Sequence, residues 1–123
     1  MFFIYQIIIS LTLLLSPLIL TYRIFKNKED KKRFKEKISI PTKKRGNGKL
    51  IWFHGASVGE LMSIIPLLKK YEKEKSIRQI LVTSSTLSSS KVIKKFNFKK
   101  TIHQFYPIDH FIFVNKFLNY WRP

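Results

Sequence analysis

The stretch Leu50-Ile51-Trp52-Phe53-His54-Gly55-Ala56-Ser57-Val58-Gly59-Glu60 carries the clearest structural signal in the sequence. It begins with five almost continuously apolar residues, which is typical of a short strand buried on both faces in a parallel sheet. Small residues follow in a loop, and Glu60 then opens a segment to residue 71 whose apolar positions keep a helical period. Strand, tight loop and helix in this order predict one βα unit.

The same alternation continues toward the C-terminus. We predict a second strand over residues 79–83, a polar loop over 84–90, and a basic helix over 91–98. A third extended segment covers 101–107, and a last helix begins at Asp109. This order predicts an α/β fold with three parallel strands alternating with helices. The apolar stripe of the last helix is predicted to contain Phe111, Val114, Phe117, Leu118 and Trp121.

Two features complicate this fold. Pro66 lies inside the first predicted helix, which favours either a kink or a helix that starts later than Glu60. Three strands are also few for a doubly wound sheet, so we expect the outer edge of the third strand to be poorly covered. The segment therefore resembles the first part of a larger α/β domain.

The N-terminal residues 1–22 contain no charged side chain. About 20 apolar residues in a helix span the hydrocarbon of a bilayer, so this segment predicts a transmembrane anchor. A cleaved signal peptide would need a basic start and a small-residue cleavage site, and neither is present. Eight Lys and Arg between residues 23 and 37 then place the C-terminal part in the cytoplasm by the positive-inside rule.

A basic segment and linker, residues 23–48, separate the anchor from the predicted domain at 49–123. We expect a juxtamembrane helix that ends before Pro41, because a residue that precedes proline avoids the α region. Its basic side chains would lie against anionic headgroups. Glycine and asparagine at 46–48 predict a turn before the first strand.

Composition narrows the classes of partner. The 123 residues include no cysteine, which excludes disulfides, Cys-ligated zinc and thiol catalysis. A net charge of +17 favours nucleic acid, anionic lipid or a phosphorylated substrate. A lysine-rich composition also arises from A/T-rich codons, so both explanations stay open. The basic residues lack the interleaved aromatics of a single-strand binder, which disfavours nucleic acid.

Glu60 is the strongest candidate for catalysis. Ligands of α/β sheets bind where strands end and loops lead into helices, and a carboxylate there can accept a proton from an attacking hydroxyl. The loop before it would let a ligand approach the backbone and the free N–H groups of the helix. The competing interpretation is that an acid in a first helical turn only complements the helix dipole. The candidate ligand-binding residues are Gly55, Ala56, Ser57 and Gly59.

Other chemistries find less support. Ser57 lies in a G-x-S-x-G pattern, but a hydrolase would need Asp109 and His110 behind it, and adjacent helical residues point about 100° apart. The loop lacks the Lys-Ser/Thr pair of a phosphate-binding P-loop. His54, His103 and His110 do not have a metal-ligand spacing, so neither a metal nor another cofactor is indicated.

The nonapeptide Trp52-Phe53-His54-Gly55-Ala56-Ser57-Val58-Gly59-Glu60 resembles the signature of the 3-deoxy-D-manno-octulosonic acid (Kdo) transferases of lipopolysaccharide synthesis. The resemblance extends along essentially the whole chain. One departure is Ser85, where the family usually has glycine. The further similar segments are residues 33–36, 81–86, 103–109 and 117–123.

The resemblance implies a GT-B glycosyltransferase with two Rossmann-like domains. The first would hold a phosphorylated lipid A precursor, and residues 49–123 would form its first part. The second would hold the donor CMP-Kdo, and we expect that domain to be absent from these 123 residues. The family's proposed general base falls on Glu60, and the location implied is the cell inner membrane. A non-catalytic, membrane-tethered binder of anionic lipid remains the alternative, which donor-dependent turnover would exclude.

Overall fold

The computed structural model describes residues 1–25 and 32–123. It contains four α-helices, three strands and one short 3-10 helix. Their bounds, in chain order, are α1 Phe2–Phe25, the 3-10 helix Phe34–Ile38, β1 Leu50–His54, α2 Val58–Lys73, β2 Gln79–Ser84, α3 Leu87–Lys94, β3 Thr101–Phe105 and α4 Phe111–Trp121.

The three strands form a parallel sheet in the order β1-β2-β3, which confirms the predicted α/β fold. Leu50 pairs with Gln79, and Ile80 pairs with Thr101. The strand that is buried along nearly its whole length is β2, whereas β1 lies at an edge and is mostly half-buried. The prediction that β1 is buried on both faces was therefore wrong. Its apolar side chains alternate between two faces of the sheet that are both only partly covered at this edge.

Helices cover both faces of the sheet. On one face, α2 and α3 pack against alternate strand residues such as Ile80 and Val82. On the other face, α4 places Phe117 and Trp121 against Leu50 and Leu81. The sheet is therefore a middle layer, and the chain crosses from one face to the other between β3 and α4.

Helix α2 begins earlier than Pro66 suggested. It starts at Val58, is capped by Ser57, and continues through Pro66 to Lys73. The predicted apolar face is correct, since Leu61, Ile65 and Leu68 are buried.

The later two helices also start at positions other than those predicted, because capping side chains define their first residues. Thr86 and Ser89 form a capping box, so α3 starts at Leu87 inside the predicted polar loop and ends at Lys94. His110, rather than Asp109, caps α4, and its ring accepts from the Ile112 N–H at 3.4 Å.

The stripe predicted on α4 is only half correct. Phe117 and Trp121 are buried, but Phe111 is 57% exposed and Leu118 is 39% exposed. The helix touches the sheet through its C-terminal half, and Arg45 holds that end by donating from Nε to the Trp121 carbonyl at 2.8 Å.

The outer edge of β3 is covered, contrary to expectation. The Phe105 N–H donates to Glu36 Oε1 at 2.9 Å, and Arg33 Nη2 donates to the His103 carbonyl at 2.7 Å. Two side chains thus take the place of a neighbouring strand. In the described part of the predicted juxtamembrane helix, residues 23–25 continue α1, and from residue 32 onward only the 3-10 helix Phe34–Ile38 forms, which packs beside β3.

Helix α1 is long and apolar enough to cross a membrane, as the sequence predicted. Its first half lies beside the domain. The Tyr5 hydroxyl bonds to the Asp109 carboxylate, and Ser10 Oγ lies 3.3 Å from His110 Nε2.

Candidate functional site

The candidate site lies where β1 ends and α2 begins. The Gly55 N–H donates to the Thr83 carbonyl at 3.0 Å, so the sheet hydrogen bonding continues one residue past β1. The chain then turns, and Ser57 starts the helix. This places the loop at the carboxyl edge of the sheet, where α/β proteins bind ligands.

Ser57 and Glu60 shape the start of α2 together. Ser57 Oγ accepts from the Glu60 N–H at 3.3 Å, and Glu60 Oε2 accepts from the Ala56 N–H at 2.6 Å. This is close to a capping box, in which the two side chains satisfy backbone donors of the helix start. The Glu60 side chain is nevertheless exposed, and within the described chain its Oε1 oxygen accepts no hydrogen bond.

The two loop glycines have different reasons to be small. A Cβ on Gly55 would lie 2.9 Å from Leu61 Cδ2 and 3.1 Å from the Leu61 nitrogen, so this glycine lets α2 approach the end of β1. A Cβ on Gly59 would meet only Ser57 Oγ, at 3.9 Å. The space over Gly59 is therefore open to a ligand, whereas Gly55 is required by packing.

The ends of the other strands bring further polar groups to this edge. Thr83 Oγ1 lies 2.9 Å from both His54 Nδ1 and Trp52 Nε1. The His54 ring lies 4.5 Å from the Tyr106 ring. Sequence reasoning did not assign Thr83 or Tyr106 to the site. The available signal was that each stands at the carboxyl end of a predicted strand.

The structure does not assemble a hydrolase triad. Ser57 is occupied with the helix start, Asp109 bonds to Tyr5, and His110 caps α4 and faces Ser10. Within residues 1–25 and 32–123, no three His, Asp or Glu side chains are grouped to hold a metal ion.

A second polar cluster, missed from the sequence, lies on the far side of β2. Arg33 donates to Glu36 through Nε and Nη2, both at 2.7 Å, and Nη2 lies 2.8 Å from His103 Nδ1. His103 Nε2 lies 2.6 Å from Ser84 Oγ. Because Arg33 can only donate, His103 Nδ1 is the acceptor and Nε2 carries the proton.

Burial, with the charges of Arg33 and Lys94, lowers the His103 pKa to about 3. The ring is therefore neutral at physiological pH, in agreement with its hydrogen bonds. This cluster fastens the segment before β1 to the sheet. It contributes to the architecture behind the candidate site rather than to its chemistry.

Comparisons with known proteins agree with the motif at this edge. Residues 32–123 match the profile of the family described as 3-Deoxy-D-manno-octulosonic-acid transferase (kdotransferase). The chain is 36% identical over 124 residues to the probable 3-deoxy-D-manno-octulosonic acid transferase, mitochondrial, of Arabidopsis thaliana, covering 98% of this chain and 28% of that protein. It is 40% identical over 116 residues to the 3-deoxy-D-manno-octulosonic acid transferase of Rickettsia bellii, covering 92% of this chain and 28% of that protein.

No solved structure matches the chain. The chain spans 28% of the length of each of these two relatives. Because the family profile covers residues 32–123, from the 3-10 helix to the end of α4, the chain belongs to the 3-deoxy-D-manno-octulosonic acid transferase family.

Proposed function

We propose that this protein contributes the acceptor side of a glycosyltransferase that moves Kdo from CMP-Kdo to a phosphorylated lipid A precursor. Membership of the Kdo transferase family supports the reaction class. The observation that carries the assignment of a residue is the position of Glu60, exposed at the carboxyl edge of the sheet with one carboxylate oxygen free.

The proposed step needs one proton acceptor. A hydroxyl oxygen of the acceptor sugar forms a bond to the anomeric carbon of Kdo, while the bond from that carbon to the phosphate oxygen of CMP breaks. CMP leaves with the bonding electrons, and the hydroxyl proton passes to Glu60. A general base of this kind typically contributes about 10²–10⁴ in rate.

The local structure suits this role. The hydrogen bond from the Ala56 N–H holds Glu60 Oε2, while Oε1 accepts no hydrogen bond within the described residues. The open space over Gly59 gives the acceptor access to the start of α2. Ala56 and Ser57 are exposed beside it, and Gly55 lies buried beneath them with its N–H bonded to Thr83. The N–H groups at the start of α2 favour an anionic ligand. CMP-Kdo would bind to the second domain that the GT-B architecture provides.

The test is Glu60→Gln in a preparation that contains both acceptor and donor domains. Glutamine keeps an oxygen to accept from the Ala56 N–H but is not a base at neutral pH. We expect transfer of radiolabelled Kdo to fall by about 10²–10⁴, while acceptor binding is retained. Glu74→Gln, at the other end of α2, is the matched control and should leave the rate unchanged.

Transfer by Glu60→Gln within about threefold of wild type, too little for loss of a general base, would show that Glu60 only starts the helix. The alternative function, a non-catalytic tether that binds anionic lipid, rests on the basic residues after α1. It predicts no donor-dependent turnover from a wild-type preparation with both domains, so the same assay separates the two functions.

We further propose that α1 spans the inner membrane once, with the domain on the cytoplasmic side. The uncharged residues 1–22 and the basic residues after them support this orientation. Tyr5 would then lie across about 30 Å of hydrocarbon from Asp109. The contacts of Tyr5 and Ser10 with the domain therefore belong to the protein outside a bilayer.

A reporter fused after Pro123 tests the orientation and should be active only in the cytoplasm. Because the chain has no cysteine, Tyr5→Cys with Asp109→Cys gives a second measurement. This pair should crosslink in detergent and fail to crosslink in membranes. Periplasmic reporter activity, or an efficient crosslink in membranes, would overturn the proposed topology.

A further inference from the structure

A cavity of about 460 Å³ lies on the outer flank of β3 and shares no residue with the loop that carries Glu60. It is bounded by the end of α3, the first half of β3, and the segment around Thr42 and Lys43. Its volume is within the range of small-molecule sites, about 300–1,000 Å³. It is therefore large enough to be a second ligand site.

The charged groups that line the cavity are all cationic. They are Arg33, Lys43 and Lys94, and no carboxylate is among the lining residues. Glu36 neutralises Arg33, but Lys43 and Lys94 are exposed and have no ion pair in the described chain. The cavity therefore holds two positive charges that are not compensated locally.

The acid bonded to a lining residue is already occupied. Glu72 accepts from Thr101 Oγ1 at 2.7 Å and from the Lys100 N–H at 2.9 Å, and it does not line the cavity. Burial is the largest cause of the lowered His103 pKa, and the charges of Arg33 and Lys94 add to it, in agreement with this charge distribution. The cavity wall at His103 is thus neutral, and the charged residues that line the cavity are cations.

Main-chain donors and acceptors also face the cavity, because the N–H and carbonyl groups of one strand residue point to the same edge, and Arg33 already bonds the His103 carbonyl. Along a strand, every second residue turns its N–H group to the same edge. The Phe105 N–H points to the outer edge and reaches Glu36, so those of Thr101 and His103 point outward as well. The cavity is lined at these two residues.

The remaining wall is apolar, formed by Ile93, Phe98 and Ile102. A bare anion would leave that surface unused, so the ligand carries an organic group beside its charge. Arg33 follows the end of α1 at Phe25 by eight residues, which span at most about 28 Å. A lipid headgroup is therefore within reach of this flank.

We propose that the cavity binds a phosphomonoester, carried by a small soluble molecule or by a lipid headgroup. Lys43 and Lys94 neutralise the phosphate dianion, and the apolar wall contacts the esterified group. Two positive charges match a dianion better than the single charge of a phosphodiester. This site does not depend on the proposed transfer reaction, since it lies apart from Glu60.

Lysine footprinting of the full chain tests the proposal. In detergent, glycerol 3-phosphate should slow acylation of Lys43 and Lys94 in a saturable way. Lys91 on α3 and Lys95 at its C-cap do not line the cavity and should react as before. The lipid arm compares nanodiscs of phosphatidylcholine with and without phosphatidic acid. Protection in the first arm identifies a soluble ester as a ligand, and protection only in the second identifies a lipid.

A charge-matched pair of variants completes the experiment. The double variant Lys43→Ala, Lys94→Ala removes two cations and should weaken the affinity for the phosphomonoester by about tenfold. The affinity is measured by crosslinking a photoreactive phosphomonoester to residues near Arg33. Lys91→Ala with Lys95→Ala removes the same charge and should change it by less than about twofold. Equal effects of the two pairs, equal protection of all four lysines, or no protection in either arm would overturn the proposal.

Discussion

Glu36 and Glu60 each accept a hydrogen bond from a backbone N–H, but their surroundings are opposite. Glu36 is 2% exposed and lies against the edge of β3, where it accepts from the Phe105 N–H at 2.9 Å. Glu60 is exposed at the start of α2, where it accepts from the Ala56 N–H at 2.6 Å. The same chemical group therefore fastens the fold at one place and remains available at the other.

The difference lies in how many acceptor positions are filled. Both oxygens of Glu36 are used, since Arg33 donates twice and Thr42 Oγ1 donates to Oε2 at 2.8 Å, in addition to Phe105. These donors leave neither oxygen of Glu36 open to a ligand. Glu60 has one oxygen held and one free. Both residues are glutamates, so residue type does not distinguish them, but their hydrogen bonds do.

The largest stability effect should come from Glu36→Ala. It removes the buried carboxylate that pairs with Arg33 and accepts from the Phe105 N–H, and breaking such a pair typically costs about 3–5 kcal/mol. Glu60→Ala removes only a partly exposed helix-start contact, worth about 1 kcal/mol. Urea unfolding in detergent, followed by the fluorescence of Trp52 and Trp121 in the domain, measures both.

These two variants should also separate in activity. In a preparation with both acceptor and donor domains, Glu36→Ala should transfer Kdo at the wild-type rate per folded molecule, whereas Glu60→Ala should not. Equal loss of stability in the two variants would contradict the comparison. It would mean that the contact at β3 contributes no more than a helix cap.

The βα alternation could be predicted because it depends on local patterns. The apolar run of β1, the helical period from Leu61 to Leu68, and the order of strands all follow from residues close in sequence. The family motif also placed Glu60 beside the loop glycines, and the structure brings them together. A cap was expected within residues 84–90, but the exact starts of α3 and α4 were misplaced, because the capping residues Thr86 and His110 are not defined by the hydrophobic period.

The contacts of Arg33 and Glu36 could not be predicted in the same way. They join residues about 70 positions apart, and the resemblance of residues 33–36 to the family does not indicate which distant residues they contact. The burial of His103 follows from the same contacts. Long-range polar clusters need the packed structure, whereas helix and strand periods do not.

A smaller effect is expected in the pH dependence of the unfolding free energy, through His103, which lies in the same polar cluster as Glu36. His103 has a pKa of about 3 in the fold against 6.5 when unfolded, so the unfolded chain binds more protons below pH 6.5. The stabilising contribution is complete above that value and is lost as the pH falls toward 3. At pH 5 the loss should reach about 2 kcal/mol relative to pH 7.5.

His103→Gln should flatten the fall in unfolding free energy between pH 7 and pH 5 (about 2 kcal/mol in the wild type), even though it lowers stability at neutral pH by removing the Arg33 and Ser84 hydrogen bonds. His54→Gln is the matched control, because that ring is exposed beside the Glu60 loop, and its pH profile should keep the wild-type slope. Equal slopes in wild type and His103→Gln would show that protonation of His103 does not oppose folding. If protonation of the His103 ring cost no stability, its hydrogen bonds to Arg33 and Ser84 would not fix its protonation state. The contrast between the buried polar cluster at β3 and the exposed carboxylate at the end of β1 would then depend on Glu36 alone.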